Sequence, residues 1–147
     1  MKTMKNRLNI QKLAPKAYEA MYGLENFLTN SELEKLHLEL IKIRASQLNG
    51  CAFCINMHTK DAITIGETNQ RIFLLNAWRE TTLFTEEERI ILAMTEEITR
   101  ISEHGLTDET YEKATTLFSE EYISLIIIAV TTINAWNRIA ISSRIMV

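Results

Sequence analysis

The sequence predicts an all-α protein, and three observations carry that expectation. Glycine and proline are scarce, four and one in 147 residues, whereas sandwiches and barrels need turn residues every ~8–12 positions. Apolar residues recur at three- and four-residue spacing through most of the chain, the period of a helix with a buried face. Pairs of the Ser/Thr-x-x-Glu kind stand just before several of these stretches, where they cap helices. Together they predict about seven helices and no strand, in a single domain over 1–147, a length that suits one hydrophobic core.

Taken in order, Pro15 suits the first turn of a helix in which Ala17, Tyr18, Met21, Leu24 and Phe27 recur up to about Leu28. Ser31 with Glu34 reads as a capping box opening the next helix. That helix carries two apolar stripes, Leu33, Leu36, Leu40 and Ile43 on one and Leu38, Ile41, Ala45 and Leu48 on the other. Apolar on two faces, it is expected at the centre of the fold or at a subunit contact. Asn49-Gly50 ends it. The following helix starts near Cys51 and runs to Ile65, with Gly66 as its stop. Another is expected from Asn69 to Arg79, burying Ile72, Leu75 and Trp78. Thr85 and Glu88 repeat the capping box before a helix through Ile101, ended by Gly105. Thr107 or Asp108 caps a short helix with Tyr111, Ala114 and Phe118 on one side. Ser119 caps the last, which holds the apolar run 125–130 and extends through Trp136 towards Ile141.

Charge narrows the function. The net charge is −3 with a pI near 5.7, and no run of Lys or Arg is dense enough to draw the protein onto nucleic acid. The apolar run 125–130 is followed by Thr131 and Thr132, short of the ~18–20 residues of a membrane span, so no membrane segment is expected. Lys2, Lys5 and Arg7 precede no apolar segment of a secretory signal, and a cytoplasmic address is expected. In a reducing compartment two cysteines do not serve as a structural staple. The spacing Cys51-x-x-Cys54 therefore calls for a chemical explanation.

At ~100° per helical residue, positions 51, 54 and 58 share a narrow face. Cys51 and Cys54, three apart on a first turn, lie within disulfide reach, and the unpaired N–H groups there favour a thiolate. His58, one turn past Cys54, can take the thiol proton or stabilise the thiolate. Glu39 interrupts Leu38, Leu40 and Ile41, where a solvated carboxylate is out of place. If the helices flanking Gly50 form an antiparallel hairpin, Glu39 falls opposite His58 or Ala62 and orients the imidazole. From these residues alone three readings stay open: a redox-active pair, a zinc site of Cys51, Cys54, His58 and Glu39, or cysteines that fill the core.

Other conspicuous residues have blander places. His37 points to a different helix face and is expected at the surface; His104, before Gly105, suits a helix end. Trp78 and Trp136 are expected as core or interface anchors, and Asn137 and Arg138 as interface packing. Glu86, Glu87 and Glu88 are first-turn charges favoured by the helix dipole without a partner.

The pattern Glu-x11-Cys-x2-Cys-x3-His from Glu39 to His58 resembles the core motif of AhpD-like alkylhydroperoxidases in the carboxymuconolactone decarboxylase superfamily. Ala77-Trp78-Arg79-Glu80, Leu83-Phe84-Thr85 and Ile133-Asn134-Ala135-Trp136-Asn137-Arg138 also resemble segments of its small one-domain members, so the resemblance covers most of the chain and thins at the N-terminus. It implies an all-α homo-oligomer, a trimer or hexamer, that reduces alkyl hydroperoxides or hydrogen peroxide. It further implies that Cys54 attacks the peroxide and becomes a sulfenic acid, that Cys51 resolves it as a disulfide, and that His58 and Glu39 relay protons. The chain departs from the pattern between the cysteines, where the peroxidase that names the family carries a histidine, and at Asn56, where an acidic residue is frequent. Lactone decarboxylases of the superfamily lack the cysteine pair, so their reaction is not expected. No G-x-G-x-x-G fingerprint is present, so neither a cofactor nor a metal is expected, and electrons would come from an external dithiol or a partner protein. The alternative is a non-enzymatic helical oligomer whose Cys-x-x-Cys-x3-His site senses oxidation or binds zinc.

Overall fold

Residues 4–147 are described by the computed structural model of the chain; Lys2, one of the N-terminal charges noted above, lies outside them. Among the described residues the elements are α1 (Ile10–Leu13), α2 (Pro15–Thr29), α3 (Lys35–Asn49), α4 (Ala52–Thr64), α5 (Asn69–Leu74), a 3₁₀ segment (Leu75–Glu80), α6 (Glu86–Thr99), α7 (Asp108–Leu117) and α8 (Glu120–Ser143), with no strand. The all-α expectation holds, with eight α-helices in place of about seven. The addition is α1, a single turn capped by Asn9, whose Oδ1 accepts the Lys12 N–H at 3.0 Å. The helix expected from Asn69 to Arg79 tightens after Leu74 into 3₁₀ winding. The backbone kinks at Ala77 (φ −121°, ψ 28°), and Leu75 and Trp78 on either side of it are both buried in the core.

α3 is the central element, packed against α4, α6 and α8. Its two stripes feed two cores. Leu38, Ile41 and Ala45 join Ile91 and Met94 of α6 and Ile126, Val130 and Ile133 of α8. Leu40 and Ile43 join Ala62, Leu75, Trp78 and Leu92 on the other side. α8 is long and apolar enough to match a membrane-crossing segment by length and composition, contrary to the sequence reading of its short apolar run. Here Ile123, Ile126, Ala129, Val130 and Ile133 are spent on the first of these cores.

Capping follows the sequence in most places. Thr85 and Glu88 form the reciprocal box, with Glu88 N–H to Thr85 Oγ1 at 3.1 Å and Thr85 N–H to Glu88 Oε2 at 2.8 Å. Thr107 and Ser119 cap α7 and α8. The Ser31 box is not made. Ser31 Oγ donates to Leu28 O at 2.7 Å and accepts from Leu33 N–H, and α3 starts later, after Glu34. Tyr122 of α8 does the work from across the core: its hydroxyl accepts the Glu34 N–H at 3.2 Å. The same oxygen lies 2.7 Å from Nδ1 of His37. The hydroxyl joins the start of α3 to the His37 ring. His37 is thus buried, not at the surface as its helix position suggested. His104 lies exposed in the turns after α6, which ends at Thr99 rather than near Ile101.

Two further expectations are overturned by burial. Glu88 is not a lone first-turn charge: it is 4% exposed and paired with Arg71 Nη2 at 2.6 Å, while Arg71 also meets Glu67 at 2.8 Å. Asn137 does not await an interface. It is 0% exposed, its Nδ2 donates to Ser46 Oγ at 2.9 Å, and its Oδ1 accepts from Asn49 Nδ2 at 2.9 Å. Asn49 donates as well to Asn134 at 2.9 Å, so two side chains of α8 hold the C-terminal end of α3. Arg138 is exposed and bonds back to Asn134.

Replacing Asn137 with Leu keeps the branched outline but leaves the buried hydroxyl of Ser46 without its partner and Asn49 with Asn134 alone, and a loss of about 2–4 kcal/mol is expected in urea unfolding. Acid sensitivity follows from two carboxyls. Burial works against the charge of Glu88 and Glu96. Hydrogen bonds from Arg71 and Thr85 to the first, and from Arg79 and Trp78 to the second, outweigh it and hold both below the usual 4.5. Their contribution is complete above that value and is lost as pH falls through the lower folded-state one. Glu88→Gln should therefore flatten the acid limb of stability against pH, and an unchanged limb would show that the pairing contributes nothing.

Candidate functional site

The site is built on the hairpin of α3 and α4. Gly50 takes the left-handed conformation at φ 70°, and the N–H groups of Gly50 and Cys51 return to the carbonyls of Gln47 and Ser46. A side chain is strained there, which explains Asn-Gly at this point. Cys51 then falls at the N-cap of α4, not within its first turn, in extended backbone. Cys51 and Cys54 are joined as a disulfide, with Cα atoms 5.3 Å apart, and the Cys54 N–H points at Cys51 Sγ at 3.4 Å. Both are buried, but they face differently. Cys54 lines a cleft of about 630 Å³, whereas Cys51 is not part of its wall.

The antiparallel packing brings Glu39 to His58, with Oε2 3.2 Å from Nδ1. Against a carboxylate, Nδ1 carries the hydrogen and Nε2 keeps its lone pair. Asp61, one turn further, reaches the same Nδ1 at 3.6 Å. The four side chains singled out from the sequence, Glu39, Cys51, Cys54 and His58, are therefore gathered in one place.

Two groups absent from the sequence reading, Lys42 and Glu25, complete the surroundings together with Trp136. Lys42 is buried, with Nζ 2.9 Å from Glu25 Oε2 and 4.0 Å from Glu39 Oε1; a buried ammonium needs such counter-charges. The other oxygen of Glu25 accepts the indole N–H of Trp136 at 3.0 Å. A polar chain thus runs from Trp136 on α8 through Glu25 on α2 and Lys42 and Glu39 on α3 to His58 on α4. Trp136 packs against the core and also walls the cleft, and Trp78 is a core anchor, as the sequence suggested for both. Lys42 was open to the argument that singled out Glu39, a charge among Leu40, Ile41 and Ile43. Glu25 lies seventeen residues from Lys42, and no local pattern signals the pairing.

Carboxylates and imidazole of Glu39, His58 and Asp61 place their donor atoms within 4.8 Å of one another, but Lys42 already balances Glu39. Cys51 and Cys54 are not among these donor atoms. What the arrangement can do chemically is hold a thiolate at Cys54, pass a proton through His58, and close a disulfide to Cys51.

The sequence pattern of the carboxymuconolactone decarboxylase family matches residues 13–97. The chain belongs to that family. It is 42% identical over 140 residues to YdfG of Bacillus subtilis (strain 168), an uncharacterized protein, covering 95% of each chain. The crystal structure of a protein of unknown function from Agrobacterium tumefaciens, given the AhpD designation, matches with a TM-score of 0.94 at 42% identity over 97% of both chains. An uncharacterized peroxidase-related protein of Ralstonia eutropha JMP134, described as an alkylhydroperoxidase AhpD core, matches with a TM-score of 0.81 at 16% identity, covering 92% of this chain and 73% of that one, and so shares the fold. The AhpD-like fold and the Cys51–Cys54 disulfide fit a peroxidase-related family.

In the reduced protein, Glu39→Gln and His58→Ala are each expected to slow alkylation of Cys54 by iodoacetamide about tenfold at neutral pH. Lys60→Ala, on the exposed side of α4, serves as the comparison, and rates equal to it in both variants would remove the pair from the site.

Proposed function

We propose that the protein is a thiol-dependent peroxidase that reduces alkyl hydroperoxides or hydrogen peroxide. The observation that carries this reading is the Cys51–Cys54 pair closed at the wall of a cleft, with His58 hydrogen-bonded to Glu39 beside it. Cys54, the cysteine that reaches the cleft, attacks the terminal peroxide oxygen as a thiolate. The O–O bond breaks, an S–O bond forms, and the leaving alkoxide takes from His58, held by Glu39, the proton that the imidazole removed from the Cys54 thiol. Cys51 then attacks the sulfenic sulfur, water leaves, and the disulfide forms. Two electrons and two protons from an external dithiol or a partner protein restore the thiols.

Attack by Cys54 is supported by the lining of the cleft, which includes Cys54 and not Cys51. The N-terminus of α4 supplies backbone N–H groups that favour a thiolate at the second cysteine. In this reading 1–147 acts as one AhpD-like unit of a cytoplasmic homo-oligomer, a trimer or hexamer.

One equivalent of an alkyl hydroperoxide added to anaerobically reduced, metal-free protein is expected to consume both thiols, with a mass decrease of about two hydrogens. Cys54→Ser should abolish the reaction, and Cys51→Ser should leave a sulfenic acid that dimedone traps. With a dithiol supplied, an enzyme consumes many equivalents, whereas a sensor stops after one. Thiols persisting at the rate of an unfolded control peptide would refute the peroxidase reading.

A further inference from the structure

The cleft beside Cys54 has two unlike parts. On one side Tyr18 and Tyr22 of α2 meet Trp136 of α8, with ring centroids 5.2 and 5.6 Å from the indole. Trp136 is held in place by the bond from its N–H to Glu25. Met57 of α4 carries this apolar wall towards Cys54. Walls of this kind grip the body of an apolar ligand while a few polar groups set its orientation.

The other part is acidic. Glu25 and Asp61 line the cleft, and Glu39 stands behind His58. Against these three carboxylates there is one ammonium, Lys42, buried and held at 2.9 Å by Glu25, so it offers no free cation to a ligand. Carboxylates outnumber the ammonium at the floor of the cleft, and an anionic ligand would add like charge beside Glu25 and Glu39, which water reaches little, while the repulsion from the half-exposed Asp61 is screened.

We propose that this cleft selects uncharged hydroperoxides with an apolar, ring-sized body and disfavours those that carry a carboxylate. The inference rests on the peroxidase reading above. The step is the one already written: Cys54 sulfur gains the terminal oxygen, the O–O bond breaks, and the body leaves as its alcohol with the proton from His58. The body itself is unchanged, so its charge bears on binding and approach alone.

The test compares cumene hydroperoxide, its para-carboxylate and the methyl ester of that acid as oxidants of Cys54 in the reduced full-length protein. Each rate is divided by that peroxide's rate with free dithiothreitol. The neutral peroxide and the ester are expected to exceed the carboxylate by about tenfold. Glu25→Gln and Asp61→Asn, each removing one carboxylate, should shrink that ratio. Equal rates for ester and carboxylate, or a faster carboxylate captured by Lys42, would overturn the proposal while leaving the peroxidase reading intact. Hydrogen peroxide has no body to select. If it too fails to oxidise Cys54, the peroxidase reading falls, and the proposal with it.

Discussion

Glu39 meets His58 only because α3 and α4 turn back on each other in one register, and that register hangs on the turn at Gly50. Asn49 and Ser46, just before it, are bound by Asn134 and Asn137 of α8. The turn is therefore held from outside the hairpin as well as by its own backbone. A slip of one residue in α3 would rotate Glu39 by ~100° away from the imidazole and move both apolar stripes off their cores. The same contact thus protects the packing and the chemistry.

Buried charge is used in two different ways. Around Arg71 and Glu96 the pairs are mutually saturated: Arg71 meets Glu67 and Glu88, and Glu96 accepts from Trp78, Arg79 and Arg44. Such clusters tie α5, the 3₁₀ segment and α6 together, and they leave nothing over for a ligand. Beside Cys54 the balance is uneven, with three carboxylates, one ammonium and an imidazole. Partly compensated charge at the wall of a cleft is where a protein keeps groups for proton transfer rather than for stability.

Much of this was readable in the residues because it depends on spacing. Two apolar stripes on one helix announced a central α3, and the distance from Glu39 to Gly50 to His58 announced their meeting across a hairpin. What was not readable depends on partners far along the chain. Tyr122 replaces Ser31 as the cap of α3 from eighty-eight residues beyond Glu34, and it buries His37 in doing so. Asn137 looked like surface because nothing local shows that Ser46 and Asn49 lie opposite it. The Trp136–Glu25–Lys42 chain joins three helices, none of which carries its pattern alone. Local period sets helices and faces, whereas polar pairing across the core is decided by tertiary packing.

Cohesion is unevenly distributed over the bundle. α3 contributes to both apolar cores, so neither core can open without the other, and the amides of α3 belong to the most protected unit of the molecule. α1 buries no residue and α2 buries Leu28 alone. Yet α2 carries Tyr18, Tyr22 and Glu25, one whole wall of the cleft. Opening that wall costs fewer buried contacts than opening the hairpin, so the reacting sulfur is set on the more firmly packed side of its own cleft.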